Sequence, residues 1–147
     1  KKKVFKNFML ANTILAADNI ITRWGWTNQE ILLIKRWHDP FKDMWAFPAG
    51  KVDTDETIKD GALRELREET GIVLEDVEFF WIYDNPTRDP RGRTVSVMYS
   101  AQVPDDISFQ AADDAKECAW FSIHNLPPMA FDHEQVIKDF INQQSYR

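Results

Sequence analysis

The sequence is poor in cysteine and in long apolar runs. Cys118 is the single cysteine among 147 residues, which excludes an internal disulfide framework and any multi-cysteine zinc or iron–sulfur site. We expect Cys118 to be a buried free thiol, in keeping with a reducing cytoplasm. No apolar run reaches the 18 residues or so that a membrane-spanning helix needs. The sequence therefore predicts a soluble, cytoplasmic protein without a membrane partner.

Excess positive charge is also absent. The formal net charge is −6 at pH 7, which argues against a general nucleic-acid surface or an anionic-membrane surface. An anionic ligand would therefore have to be recruited by local cations. The length suits one folded core and leaves no room for a second module. We expect residues 1–147 to form a single domain.

Several familiar binding motifs are missing. There is no G-x-G-x-x-G, no G-x4-G-K-[ST], and no pair of His or Cys at zinc spacing. Two helices are predicted, one starting near Thr54 or Asp55 and ending at Gly71, and one over Glu134–Gln143 that Asp132 could cap. Strands are predicted at Thr13–Ala17, Asn19–Trp26, Glu30–Arg36, Val77–Asp84, Thr94–Val103 and Glu117–Ile123. This order predicts an α/β fold with a mixed β-sheet between helices.

Carboxylates crowd one face of the first predicted helix. At about 100° per residue, Glu65, Glu68 and Glu69 lie side by side. The apolar stripe Ile58, Ala62 and Leu66 runs beside them, so they should lie at the edge of the buried surface, and Gly61 should leave space above them. A Glu-rich helix is often simply solvated. Clustered like charges also favour a cation, and carboxylates suit Mg²⁺, with Mn²⁺ as an alternative.

Two further features have alternative interpretations. Trp24 and Trp26 share one strand face, which favours a place in the core over stacking on a nucleobase. The segment Asn85–Arg93 contains Arg88, Arg91 and Arg93 in an acidic background. Loop arginines are commonly solvated, but guanidinium groups also bind phosphate with two parallel hydrogen bonds. Sequence alone leaves both interpretations of this loop open.

The helix and the loop before it carry a longer pattern. The residues match G-x5-E-x7-R-E-U-x-E-E-x-G-U, where U is apolar, through Gly50, Glu56, Arg64, Glu65, Leu66, Glu68, Glu69, Gly71 and Ile72. Seven specified letters at about 0.07 each would coincide at one position with a chance on the order of 10⁻⁸. This pattern is the Nudix box, and the chain resembles the Nudix hydrolase family over nearly its whole length.

The resemblance implies a fold, a reaction and a set of roles. It implies an α/β/α sandwich and the attack of water on phosphorus in a nucleoside diphosphate linked to another group. Metal ions would be held by three glutamates and one backbone carbonyl, that is, by Glu65, Glu68, Glu69 and Ala49. Family members often have Gly at the position of Ala49, which a carbonyl ligand tolerates. Arg64 would orient a glutamate, while Gly50 and Glu56 would play supporting parts.

The flanking segments resemble ADP-ribose pyrophosphatases. They are Leu33–Arg36, Pro40–Pro48, Arg88–Ser96 and Ala130–His133. This resemblance implies hydrolysis of ADP-ribose to AMP and ribose 5-phosphate, with Arg88, Arg91 and Arg93 contacting the substrate. The same scaffold serves ligand-sensing regulators, so two alternatives remain: a Nudix hydrolase of another nucleotide sugar or of an oxidised nucleoside triphosphate, and a non-catalytic ADP-ribose sensor.

The general base is not assigned by the pattern. Candidates are Glu65 on the helix and three acidic residues later in the chain, Asp113, Asp114 and Glu117. We favour Glu117, although a surface strand charge explains it equally well. The expected partner is a small-molecule nucleotide. Relatives are often dimers, so the resemblance also allows a homodimer.

Overall fold

The computed structural model describes residues 12–109 and 115–145. These residues form seven strands and two helices, in the order β1 Ile14–Trp24, β2 Gln29–Arg36, β3 Trp45–Ala46, β4 Ala49–Lys51, α1 Ile58–Thr70, β5 Glu78–Tyr83, β6 Thr94–Gln102, β7 Ala115–Ser122 and α2 His133–Ser145. Neither helix in these residues is long and apolar enough to cross a membrane.

The strands form one mixed sheet with β1 and β2 near its centre. The order is β3-β2-β1-β6-β5, with β4 beside β1 and β7 beside β2. β1 runs parallel to β6, whereas the other strand pairs are antiparallel. Ile31, Leu32 and Leu33 of β2 are fully buried, because this continuously apolar strand lies between neighbours on both edges and is covered on both faces.

The two helices cover opposite faces of the sheet. Leu66 of α1 packs in one cluster with Ile21 of β1, while Ile137 of α2 packs in another with Ile20. Side chains alternate along a strand, so consecutive residues of β1 contact different helices. The predicted α/β/α sandwich is confirmed.

The first helix begins later than predicted and ends at the predicted residue. Thr57 caps it by accepting a hydrogen bond from the Asp60 N–H at 3.1 Å, so the helix starts at Ile58 and not near Thr54 or Asp55. Gly71 ends the helix in the left-handed conformation, with φ at 74°.

Two expectations for β1 are wrong. One strand runs from Ile14 to Trp24, where two strands, Thr13–Ala17 and Asn19–Trp26, were predicted. Asp18 is only 2% exposed and has a partner from α2, described below. Trp24 and Trp26 are 59% and 105% exposed, because they lie at the end of β1 and in the turn before β2, outside the core.

Candidate functional site

One cavity of about 390 Å³ brings most of the predicted site residues together. Its lining includes five carboxylate residues and three arginines, namely Asp18, Glu65, Glu68, Glu69, Asp89, Arg36, Arg88 and Arg91. The backbone of β4 also borders it. Opposite charges therefore share a single concave surface, which is the arrangement expected for a polar ligand with anionic groups.

Arg64 organises the glutamates of α1. Its Nη2 and Nε donate to Glu56 at 2.8 and 3.0 Å, and its Nη1 donates to Glu65 at 2.9 Å and to Glu68 at 3.1 Å. The hydrogen bond from Arg64 lowers the pKa of Glu56 to about 2. A Cβ on Gly61 would meet Glu56, so this glycine makes room for Glu56 and not, as expected, for the other three glutamates.

Gly50 leaves the space that the Glu65 carboxyl group occupies. A Cβ built on Gly50 would overlap the carboxyl carbon and both carboxyl oxygens of Glu65. The close approach explains a glycine at this position on steric grounds. Burial raises the pKa of Glu65, while the hydrogen bond from Arg64 opposes that change.

Glu69 is the most deeply buried of the three glutamates. Its Oε1 accepts a hydrogen bond from the Ala49 N–H at 3.2 Å. Burial raises the pKa of Glu69 well above its usual range, and the charges of Glu65 and Asp18 raise it further. A cation near these groups would stabilise their ionised forms.

The residues fit a hard divalent cation in donor type and charge. Mg²⁺ prefers carboxylate and carbonyl oxygens, and Glu65, Glu68, Glu69 and the Ala49 backbone all border the cavity. Within residues 12–109 and 115–145, no three His, Cys, Asp or Glu side chains already converge into a metal cage. Two of the three glutamates are instead hydrogen-bonded to Arg64.

Asp18 and His133 form a buried pair that was not predicted as part of the site. The Nε2 of His133 lies 3.3 Å from the Oδ2 of Asp18, and its Nδ1 accepts the Phe47 N–H at 3.2 Å. The imidazole also stacks on the Phe47 ring, with centroids 4.4 Å apart. One signal was available in the sequence: a charged residue inside the apolar pattern of a central strand requires a buried partner.

Arg36 and Arg91 lie near the same aromatic ring. Their guanidinium carbons are 4.9 and 5.6 Å from the centroid of Phe131. Burial lowers the pKa of Arg36, and the charge of Arg91 lowers it further. Two cations this close to each other favour an anion in the adjoining cavity. Arg36 was not predicted as a site residue, because nothing local in the sequence links it to the arginine loop.

The three arginines of the loop occupy three different settings. Arg88 donates two parallel hydrogen bonds to Asp132, at 2.8 and 2.9 Å, and its side chain is 4% exposed. Asp132 thus holds Arg88, and its carboxylate is not the predicted cap of α2. Arg91 pairs with Asp89 and is 57% exposed. Arg93 is exposed and is not among the residues that line the cavity.

The structure does not bring Glu117 together with the other acidic residues. Its side chain is 57% exposed, lies 3.9 Å from the Nζ of Lys35, and is not part of the cavity lining. Asp113 and Asp114 lie outside the described residues. Cys118 is half-buried, as a structural thiol would be, and burial raises its pKa to about 12.

Comparison with known proteins places this geometry in a family. A family model described as NUDIX domain matches residues 16–140. An ADP-ribose pyrophosphatase of Methanocaldococcus jannaschii is 39% identical over 142 residues, which are 96% of this chain and 81% of that protein.

Several solved structures are similar to this chain, among them the following two. The NUDIX domain of Shewanella oneidensis NrtR complexed with ADP ribose has a TM-score of 0.84 at 26% identity, covering 98% of each chain. A bifunctional NMN adenylyltransferase/ADP ribose pyrophosphatase of Francisella tularensis, complexed with AMP and a Mn ion, has a TM-score of 0.79 at 31% identity. That alignment covers 97% of this chain and 45% of the other.

Proposed function

Because this chain belongs to the NUDIX domain family, we propose that it hydrolyses ADP-ribose to AMP and ribose 5-phosphate with Mg²⁺ as the cofactor. One observation carries the proposal: carboxylates suited to a divalent cation and arginines suited to phosphate line the same cavity. The similarity to an ADP-ribose pyrophosphatase over 96% of the chain supports this choice of substrate.

Three glutamates and one carbonyl would hold the cation, namely Glu65, Glu68, Glu69 and that of Ala49. Nudix hydrolases generally use divalent metals, and the relative with a Mn ion makes Mn²⁺ a reasonable substitute. When bound, such an ion neutralises the diphosphate and lowers the pKa of a water molecule. Arg64 is then a positioning residue, because it contacts Glu65 and Glu68 directly.

The arginines divide into binding and positioning residues. Arg91 and Arg36 are the groups we assign to the diphosphate or the terminal ribose, since both line the cavity beside Phe131. Arg88 uses its guanidinium on Asp132 and on the Oγ of Ser96, so we assign it to holding the cavity wall. Arg93 stays a proposed substrate contact, although it is exposed and does not line the cavity.

A carboxylate must accept the proton of the attacking water. The water oxygen bonds to one phosphorus, the bridging P–O bond breaks, and the other phosphate leaves. The carboxylate takes up the proton that the water loses. Glu65 is better placed than Glu117, because Glu65 lines the cavity and the exposed Glu117 does not. Replacement of Glu117 by Gln should leave kcat within about twofold, and replacement of Glu65 by Gln should lower kcat at least about hundredfold. A large loss in the Glu117 variant would restore that residue as the base.

ADP-ribose binding without hydrolysis is the second candidate function. The similar NUDIX domain of Shewanella oneidensis NrtR is complexed with ADP ribose. A third candidate function is the hydrolysis of a different Nudix substrate, because the fold does not specify the leaving group.

One incubation separates these candidates. The protein would be mixed with Mg²⁺ and, in parallel, with ADP-ribose, NAD, other nucleotide sugars, diadenosine polyphosphates and oxidised nucleoside triphosphates, and the products would be separated by chromatography. The expected result is AMP and ribose 5-phosphate from ADP-ribose at the highest rate. Tight binding of ADP-ribose without products would favour the sensor.

A further inference from the structure

The carboxylate of Asp18 has one oxygen without a hydrogen-bond partner. Its Oδ2 faces His133, whereas its Oδ1 is buried and has no partner within the described residues. The residue is 2% exposed and borders the cavity. A buried carboxylate oxygen without a partner is costly unless a ligand supplies a hydrogen-bond donor or a cation.

The position of Asp18 places it beside the proposed metal ligands. In the antiparallel pairing of β1 and β4, Asp18 is directly opposite Ala49, and residues opposite each other point their side chains to the same face. The Ala49 N–H in turn contacts Glu69. Three chain segments thus meet at one acidic point.

His133 fixes the orientation of this carboxylate. Because Nδ1 accepts the Phe47 N–H, the ring proton lies on Nε2, which is 3.3 Å from Oδ2 of Asp18. The imidazole also stacks on the Phe47 ring, which supports this orientation. The other oxygen of Asp18, Oδ1, remains without a partner among the described residues. A histidine that orients a ligating carboxylate is a common outer-shell device at metal sites.

We propose that Asp18 is a further ligand of the divalent cation and that His133 is its positioning residue. The inference rests on the proposed function, because it presumes that the cavity binds a divalent cation. It adds to the box glutamates a carboxylate from β1, far from them in sequence. The site is then assembled from β1, β4 and α1.

Mn²⁺ binding without substrate tests the proposal. The free ion would be measured by electron paramagnetic resonance for the unaltered protein and for Asp18→Asn. We expect the Kd for Mn²⁺ to rise about tenfold to hundredfold in that variant. The amide oxygen of Asn can still accept from His133, so a purely structural role of Asp18 predicts an unchanged Kd. Glu75→Gln removes one exposed charge outside the cavity and should change the Kd less than about twofold.

Two variants at position 133 test the positioning role of His133. They also keep the proposal testable if Asp18→Asn does not fold. Gln keeps a donor near Nε2, whereas Asn keeps only an acceptor near Nδ1. We expect His133→Asn to raise the Kd about tenfold and His133→Gln to stay within about twofold. Equal affinities in the two variants would overturn the role of His133.

The outcomes separate this inference from the proposed function. If Glu69→Gln weakens Mn²⁺ binding and Asp18→Asn does not, only this inference fails. If the unaltered protein binds no Mn²⁺, or Glu69→Gln has no effect, both fail. If Asp18→Asn weakens Mn²⁺ binding but the unaltered protein does not hydrolyse ADP-ribose, the ligand assignment stands and the proposed substrate is wrong.

Discussion

The acidic and basic parts of the cavity are built in different ways. Glu65, Glu68 and Glu69 lie on one helix, where spacing alone determines that they are neighbours. Arg36 and Arg91 come from β2 and from the loop before β6, and meet only at Phe131. The glutamates proposed to bind the metal can therefore be predicted from the spacing on one helix, whereas the arginines proposed to bind phosphate are brought together only by the fold.

The largest expected effect is at the acidic part. Replacement of Glu69 by Gln should reduce Mg²⁺-dependent hydrolysis at least about hundredfold, because it removes the most buried proposed ligand. Thermal stability without metal should not fall, since one of several repelling charges is lost. Glu75→Gln is the control for the loss of one charge. Full activity in the Glu69 variant would refute the ligand assignment.

The next effect is at the basic part and concerns stability. Replacement of Arg88 by Ala should lower the free energy of unfolding by about 3 kcal/mol, because it leaves Asp132 without its buried partner. Urea denaturation would measure this change. The double variant Arg88→Ala, Asp132→Ala should lose less than the sum of the two single variants. Additive losses would show that the pair is not coupled.

Arg91 should behave in the opposite way to Arg88. Its side chain is 57% exposed, so replacement by Ala should change the free energy of unfolding by less than about 1 kcal/mol. Its place in the cavity predicts a KM for ADP-ribose about tenfold higher, with a smaller change in kcat. Arg67→Ala, on the exposed side of α1, is the matched control. An unchanged KM would show that Arg91 is simply solvated. Arg93→Ala should raise the KM less than Arg91→Ala does.

The smallest effect is the pH dependence of the Glu56–Arg64 pair. Folding lowers the pKa of Glu56 to about 2. The pair therefore stabilises the folded protein above the unfolded pKa of about 4.3, and this stabilisation is lost as the pH falls towards 2. The difference in Tm between the unaltered protein and Glu56→Gln should be constant above about pH 5 and vanish near pH 2. A difference that grew at low pH would contradict this assignment.

Local rules predicted the parts that depend on local geometry. The end of α1 at Gly71 and the clustering of its glutamates follow from helix capping and helical periodicity. The same rules misplaced Trp24 and Trp26, because hydrophobicity alone does not tell a strand end from a strand centre. Asp18 was missed because its proposed role depends on the pairing register of β1 with β4 and on contact with His133, which is distant in the sequence.

The missing side chain at Gly50 makes two adjacent positions of β4 unequal in their tolerance of mutation. Ala49 already carries a Cβ that the strand accommodates, whereas a Cβ on Gly50 would overlap the Glu65 carboxyl group. The obstructing group is the end of a side chain, so an alanine at position 50 would displace Glu65 while the strand itself could keep its path. Such a variant would have every carboxylate of α1 and still behave as if one of them had been moved.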